Sequence, residues 1–259
     1  MRLLDKRAIV VGAGQTPGDT IGNGRAIATL FARQGAKVLC VDRDGERAQS
    51  VAMEIGGVGF AGDVTDAGVC SAMVSEAQKQ FGGVDIVVNN VGIGGGGDGP
   101  AHLAEEAAFD RIIDVNLKAA WLVIKSALPA LRQSHGAIVN ISSLASLAGA
   151  NMIAYELSKA ALNRLTLSVA LSNAKHGVRC NAILPGLMDT PMAIEAVAAA
   201  SGKSLEEVRA ARSARVPLNG KMGDAWDTAN AALFLASQDA KFITGALLPV
   251  DGGMSARVG

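Results

Sequence analysis

Tyr155 and Lys159 stand four residues apart in Tyr155-Glu156-Leu157-Ser158-Lys159, and Tyr155 is the only tyrosine in the chain. On a helix, residues i and i+4 share a face, so the phenol and the ammonium would lie side by side. An unperturbed tyrosine titrates near about 10, too high for a good base near neutrality. A neighbouring ammonium, joined by a nicotinamide cation, favours the phenolate and lowers that value. Such a pair could move a proton to or from a substrate oxygen while a nicotinamide cofactor moves the hydride. The same spacing also suits an ordinary amphipathic helix surface. Upstream, Ser142 and Ser143 follow Ile138-Val139-Asn140-Ile141, where the end of a strand can aim a hydroxyl at a substrate oxygen. Turn chemistry alone also places serines there.

A cofactor needs a phosphate cradle. The first apolar run ends in Val10-Val11-Gly12-Ala13-Gly14, and a helical pattern begins near Ile21-Gly22-Asn23-Gly24-Arg25-Ala26. Glycines there let the backbone approach a pyrophosphate at a helix N-terminus, although glycine turns are common between strands and helices. Asp42 closes the next apolar run, Val38–Val41, about 20 residues past the glycines, where a carboxylate accepts hydrogen bonds from ribose hydroxyls and repels a 2′-phosphate. This favours NAD over NADP. Arg43 follows at once, and an arginine in that neighbourhood can hold a 2′-phosphate.

The elements that must position these groups alternate. Strands are predicted at Ala8–Val11, Lys37–Val41, Val58–Ala61, Asp85–Asn89, Ala137–Ser142, Arg179–Leu184 and Leu247–Val250. Most are near-continuous apolar runs, as expected of strands covered on both faces. Helical patterns lie between them, such as Ala26, Ile27, Leu30, Phe31 and Val69, Met73, Val74, Ala77, with Gly35 and Gly82 where helices should stop. The alternation predicts an α/β fold, a single-domain doubly wound parallel sheet of about seven strands with right-handed crossovers and helices on both faces. Residues 1–259 read as one domain. Gly94–Gly97, four consecutive glycines, predicts a mobile loop at a strand's C-terminal end, where ligands bind in such sheets. Residues 187–217 read as an inserted lid of one or two short helices.

Composition narrows the function classes. Of 259 residues 49% are hydrophobic, which excludes a disordered chain, and only 3% are aromatic, which excludes a base-stacking platform. Lys and Arg number 24 against 24 Asp and Glu, so no basic field favours nucleic acid or anionic lipid. The three histidines show no metal-ligand spacing, and no metal is predicted. Cys40, Cys70 and Cys180 form no CxxC pair and read as buried thiols of a reducing compartment. The opening apolar run is too short for a membrane span or a leader. The expectation is a cytoplasmic protein with a small-molecule substrate and no membrane or nucleic-acid partner.

These motifs together resemble the short-chain dehydrogenase/reductase family, in its compact form of Rossmann type. The resemblance covers nearly the whole chain, and the motifs arrive in the family's order: Gly12 to Gly24, Asp63-Val64, Asn89-Asn90-Val91-Gly92, Asn116, Ser143, Tyr155-x3-Lys159, Pro185-Gly186, Thr190 and Val250-Asp251-Gly252-Gly253. It implies that Gly12, Gly14, Gly22, Gly24, Asp42, Asp63, Val64, Asn90, Tyr155, Lys159, Met188 and Thr190 bind the cofactor. Asp63 and Val64 would contact adenine, Asn90 would line the ribose side, and Met188 and Thr190 would hold the nicotinamide end. Ser143 would polarise the substrate oxygen and Tyr155 would be the acid/base. Lys159 would bind the nicotinamide ribose and lower the tyrosine pKa, and Asn116 would position a relay water. The resemblance also implies a homo-oligomer, tetramer or dimer, through the helices carrying Asn116 and Tyr155.

The sequence departs from the family pattern at three places. Val11 replaces a threonine, and nine residues separate Gly12 from Gly22, which leaves open which glycine faces the pyrophosphate and whether Thr16 or Thr20 supplies a hydroxyl. This longer loop is similar to that of the enoyl-thioester reductase branch, from which the Tyr155–Lys159 spacing differs. Val91 stands where alanine is usual. Ser143 lies one residue closer to Tyr155 than is common; Ser142 would restore the spacing, but the alignment of Ile138–Ile141 selects Ser143. The predicted substrate walls, Ile93, Leu144, Ala145, Ala150–Ile153, Leu187, Met188 and Met192–Val197, are mainly apolar. They predict oxidation of a neutral, fairly apolar secondary alcohol, cyclic alcohols included, with NAD. The alternatives are an NADP-dependent reductase of 3-oxoacyl thioesters and a non-enzymatic dinucleotide-binding regulator.

Overall fold

The computed structural model describes residues 1–257. Strands form at β1 (Arg7–Val11), β2 (Lys37–Asp42), β3 (Val58–Ala61), β4 (Ile86–Asn89), β5 (Ala137–Ile141) and β6 (Arg179–Pro185). Each lies within one residue of its sequence expectation at either end. With the last strand (Leu247–Val250) they make a seven-stranded, all-parallel sheet whose spatial order is β3-β2-β1-β4-β5-β6 and then that last strand. Consecutive side chains of a strand face opposite ways, so a run such as Ala8-Ile9-Val10-Val11 is buried throughout only if both faces are covered. Ala8 and Val10 join one core with Phe31, Val51 and Leu233, while Ile9 and Val11 join a second with Met73, Val123 and Val169.

Helices supply the two covers. On one face lie α1 (Asn23–Arg33) and α2 (Gly45–Ile55). On the other lie α3 (Ala67–Phe81), α5 (Ala119–Ser134) and α6 (Ile153–Asn173), with α4 (Glu106–Ile113) running into α5 through a π-helical turn at Asp114–Lys118. In α1, Ile27 and Phe31 stand one turn apart on the buried stripe. Burial of Phe31 alone contributes about 2–3 kcal/mol relative to exposure. The stops fall as expected: Gly35 and Gly82 take φ values of 91° and 84°.

The chain turns back between β1 and β4, which are neighbours in the sheet although β2 and β3 intervene in sequence. This is the switch point at which open α/β sheets leave a crevice outside their strand ends. After β6 come β7 (Met188–Asp189), α7 (Pro191–Ser201) and α8 (Leu205–Ser213), so residues 187–217 carry two helices. Pro191 opens α7, and a capping box between Ser204 and Glu207 opens α8. β7 pairs with β8 (Gly223–Asp224), α9 (Ala225–Ala236) follows on the α1 face, and β9 (Leu247–Val250) closes the sheet. Ile194, Ala198, Val208, Val216 and Met222 form a small core of their own.

Candidate active site

The ends of β4 and β5 and the first turns of α6 meet at the switch point. Tyr155 and Lys159 share a face of α6, with Lys159 Nζ 5.8 Å from the centre of the Tyr155 ring. Lys159 is buried, its Nζ donates to the Ile141 carbonyl at 3.0 Å, and burial pulls its pKa down to about 8. Tyr155 is half-buried; desolvation raises its pKa above the ordinary phenol value, and the nearby Ser143 side chain opposes that rise.

The two serines divide their work. Ser142 is buried, and its hydroxyl donates inward to the Lys159 carbonyl at 3.1 Å. Ser143 Oγ accepts the Ala145 N–H at 3.1 Å, and its side chain is near enough to the Tyr155 phenol to hold down the phenol's pKa. Ser143 is therefore the serine beside the phenol.

Asn116 sits fully buried inside the π-helical turn. Its Oδ1 accepts the Ile93 N–H at 2.7 Å, and its Nδ2 donates to the Ile93 carbonyl at 2.9 Å and to Ser158 Oγ at 3.0 Å. Between these groups the chain passes through Gly92, where an added Cβ would stand 2.9 Å from Lys159 Nζ.

The other end of the crevice has the shape of a phosphate cradle. Gly12 has φ +75°, a left-handed conformation that favours glycine. The start of α1 crosses β1 so closely that a Cβ on Gly24 would collide with the Gly12 carbonyl. Gly22 caps α1 without a side-chain acceptor, which leaves the first-turn amides facing outward. Thr20 Oγ1 is buried there with no protein partner, and so is Asn23 Oδ1. A glycine cradle, free helix amides and an unsatisfied hydroxyl fit a dinucleotide's pyrophosphate. Asn90 is turned to this corner too, donating to the Gly12 carbonyl at 2.9 Å, so it braces the cradle. Asp42 lies beside it, accepting the N–H groups of Gly14 at 3.1 Å and Asp44 at 3.0 Å. Farther along, Asp63 is bound by the Thr65 amide and hydroxyl, which with Arg43 hold its carboxyl below the usual range. Val64 is buried beside it, and Met188 and Thr190 are buried at the opposite wall.

A family model described as enoyl-(acyl carrier protein) reductase matches residues 19–255. The chain is 36% identical to 2-(R)-hydroxypropyl-CoM dehydrogenase of Xanthobacter autotrophicus, over 98% of this chain and 100% of the relative. It is 37% identical to 2,5-dichloro-2,5-cyclohexadiene-1,4-diol dehydrogenase of Sphingobium indicum, over 99% of each. A crystal structure of a short-chain dehydrogenase/reductase from Burkholderia xenovorans superposes with a TM-score of 0.88 at 39% identity, over 100% of this chain and 99% of that one. The chain belongs to the short-chain dehydrogenase/reductase family. It is thus an oxidoreductase of CH–OH groups that uses a nicotinamide cofactor. Among the described residues, no helix is long and apolar enough to cross a membrane.

This short-chain dehydrogenase/reductase also holds groups that sequence reasoning missed. The surplus of the first loop reaches across the crevice. Gln15 bridges Thr20 and Gly22, Gly18 lies against Pro191 at the start of α7, and Asp19 pairs with Arg209 of α8, which also holds Asp189 at 3.2 Å. This strap, residues 15–20, is therefore ion-paired to the 187–217 segment. The glycine run follows β4 as expected, and its far end is hydrogen-bonded. The Gly97 carbonyl accepts the Glu105 N–H, the Gly96 carbonyl accepts from Arg111, and Asp98 receives the Ala154 and Tyr155 amides. The absence of a capping residue on α6, whose N-cap is Met152, was the one sequence signal that its amides needed a distant acceptor.

Proposed function

We propose that the protein oxidises a neutral, fairly apolar secondary alcohol, cyclic alcohols included, to its ketone with NAD. The observation that carries this reading is the convergence of the Ser143 hydroxyl, the Tyr155 phenol and the Lys159 ammonium at the crevice mouth. Ser143 holds the substrate oxygen, and Tyr155 takes its proton. Lys159, charged below about pH 8 and 5.8 Å from the Tyr155 ring, favours the phenol's basic form against the burial that raises its pKa, and reaches the ribose side of the site. Asn116 fixes the floor through Ile93 and orients a water that passes the proton outward. When bound, the nicotinamide supplies the hydride acceptor. The Gly12–Gly24 cradle, with Gly14, Gly22 and Thr20, holds the pyrophosphate; Asp63, Val64 and Asn90 flank the adenosine, and Met188 and Thr190 flank the nicotinamide. Residues 187–217 act as the lid of a single domain.

Asp42 supports NAD, because a carboxylate at the ribose repels a 2′-phosphate. Of the two nearby arginines, Arg47 pairs with Asp44 at 3.0 Å, and Arg43 adds only a weak long-range pull on Asp63. The two relatives support the substrate class: one is named for a hydroxypropyl group and the other for a cyclic diol. Three free thiols, all buried, support a cytoplasmic location. The exposed Trp121 on α5 and Leu157 and Leu171 on α6 support a homo-oligomer, tetramer or dimer, through those helices.

One observation favours the alternative reduction of 3-oxoacyl thioesters with NADP. In α8 and just beyond it, Arg212 and Arg215 have no ion-pair partner among the described residues, and Arg212 Nε is buried unbonded. A spectrophotometric panel of secondary alcohols and 3-oxoacyl thioesters with either cofactor separates the two readings. Faster turnover of an alcohol with NAD supports the first, and a preference for thioester with NADP overturns it.

A further inference from the structure

The glycine run ends at Asp98, a residue that no catalytic motif contains. Its Oδ1 accepts the Gly99 N–H at 2.9 Å and the Ala154 N–H at 3.0 Å, and its Oδ2 accepts the Tyr155 N–H at 3.0 Å. Gly99 completes the set, its carbonyl accepting the Ile153 N–H at 3.0 Å. The first three amides of α6 are therefore all bound by a segment more than fifty residues upstream. The carboxylate also lies at the positive end of the helix dipole, where an anion is stabilising.

The same segment faces the phenol. A Cβ on Gly94 would stand 3.4 Å from Tyr155 Cδ2, so the backbone of the run packs on the tyrosine ring. Its other side is fixed by Glu105, by Arg111 and, through Ile93, by Asn116. We propose that Asp98 is a positioning residue for the oxidoreduction: it locks the substrate-facing segment 93–99 to the main chain of Tyr155 and so sets the gap in which the alcohol sits. The proposal rests on Tyr155 as the acid/base. It assigns Asp98 no contact with the cofactor, whose cradle lies at the β1–α1 turn.

The test compares Asp98→Asn and Asp98→Ala with Glu156→Gln. Glu156 binds the Ala150 and Met152 amides just before α6 but not that of Tyr155, so its variant controls for loss of local stability. Asp98→Asn keeps the side chain's size and one acceptor, which guards against outright misfolding. Expected is a fall in kcat of about 10- to 100-fold with a raised KM for the alcohol, since a misplacement near 1 Å costs that much. NAD affinity by fluorescence titration should stay unchanged, and amide exchange should quicken jointly at 93–99 and 153–155. Glu156→Gln should leave kcat within about twofold even where it lowers Tm. Unchanged kcat and KM in Asp98→Asn, an equal loss in Glu156→Gln, or a parallel loss of NAD affinity would each overturn the proposal. Retained activity in Tyr155→Phe would overturn the acid/base reading instead, and the exchange data would still report on the clasp by themselves.

Discussion

Asn116 grips Ile93 at both of its backbone polar groups, the N–H through Oδ1 at 2.7 Å and the carbonyl through Nδ2 at 2.9 Å. One side chain thus replaces a strand partner for a residue just beyond the end of β4. Asn116→Asp puts an acceptor opposite the Ile93 carbonyl and Ser158 Oγ. A buried group left unsatisfied costs about 1–3 kcal/mol, so chemical denaturation should show a loss of that order. Steady-state kinetics should show a fall in kcat larger than any change in NAD affinity.

Lys159 gives stability a signature in pH. Its folded pKa of about 8 lies below its ordinary value of 10.5, so the folded protein resists its charge. Below pH 8 the lysine is charged in both states and the penalty is fully present, roughly 3 kcal/mol at 1.36 kcal/mol per unit. Between the two values the unfolded chain binds more protons, so stability rises with pH. Lys159→Met should abolish this rise and be more stable than the parent at neutral pH, while turnover collapses. Denaturant midpoints measured from pH 7 to pH 10 decide it; a parallel rise in both proteins would refute the account.

Asp42 should set the cofactor choice. Hydrogen bonds to a charged group are worth about 1.5–3 kcal/mol, so Asp42→Ala should weaken NAD binding by roughly 10- to 100-fold. It should also lift the repulsion of a 2′-phosphate and strengthen NADP binding. Dissociation constants for both cofactors check this, and an unaltered NAD-to-NADP ratio would contradict it.

The ion pair that joins the strap to the proposed lid should slow cofactor exchange. Arg209→Ala cuts the link from the strap to the proposed lid by removing the pair with Asp19. A partly exposed ion pair is worth up to about 1 kcal/mol, so NAD should dissociate up to about 5-fold faster in stopped-flow displacement. High salt should bring the parent protein toward the variant's rate.

The sheet was legible because parallel strands covered on both faces are near-continuously apolar, as Ile86–Val88 and Ile138-Val139 are. Tyr155 and Lys159 were legible because one helical turn brings them together whatever else the chain does. Asp98 was not, since its partners Ala154 and Tyr155 lie far along the sequence and only the fold brings them near. Nor was the strap. The extra residues after Gly14 were visible, but their attachment to Pro191 and Arg209 depends on where the lid lands. The choice between Ser142 and Ser143 turned on which hydroxyl the end of β5 aims inward, a matter of a single residue's rotation.

The π-helical turn at Asp114–Lys118 has a consequence for chain length. A π turn holds one residue more than an α turn, so α4 and α5 are out of phase by about 100° across it. The run from Glu106 to Ser134 behaves as a helix with a built-in insertion, and the extra residue keeps Asn116 inward while both flanks still bury their own apolar stripes. Deleting one residue there would make a more regular helix and a worse enzyme. Either Asn116 would rotate off Ile93, or the stripe of Leu122, Val123 and Ala127 would rotate off the sheet. In this helix regularity and activity pull in opposite directions, and a single-residue deletion at Lys118 would show what the irregularity maintains.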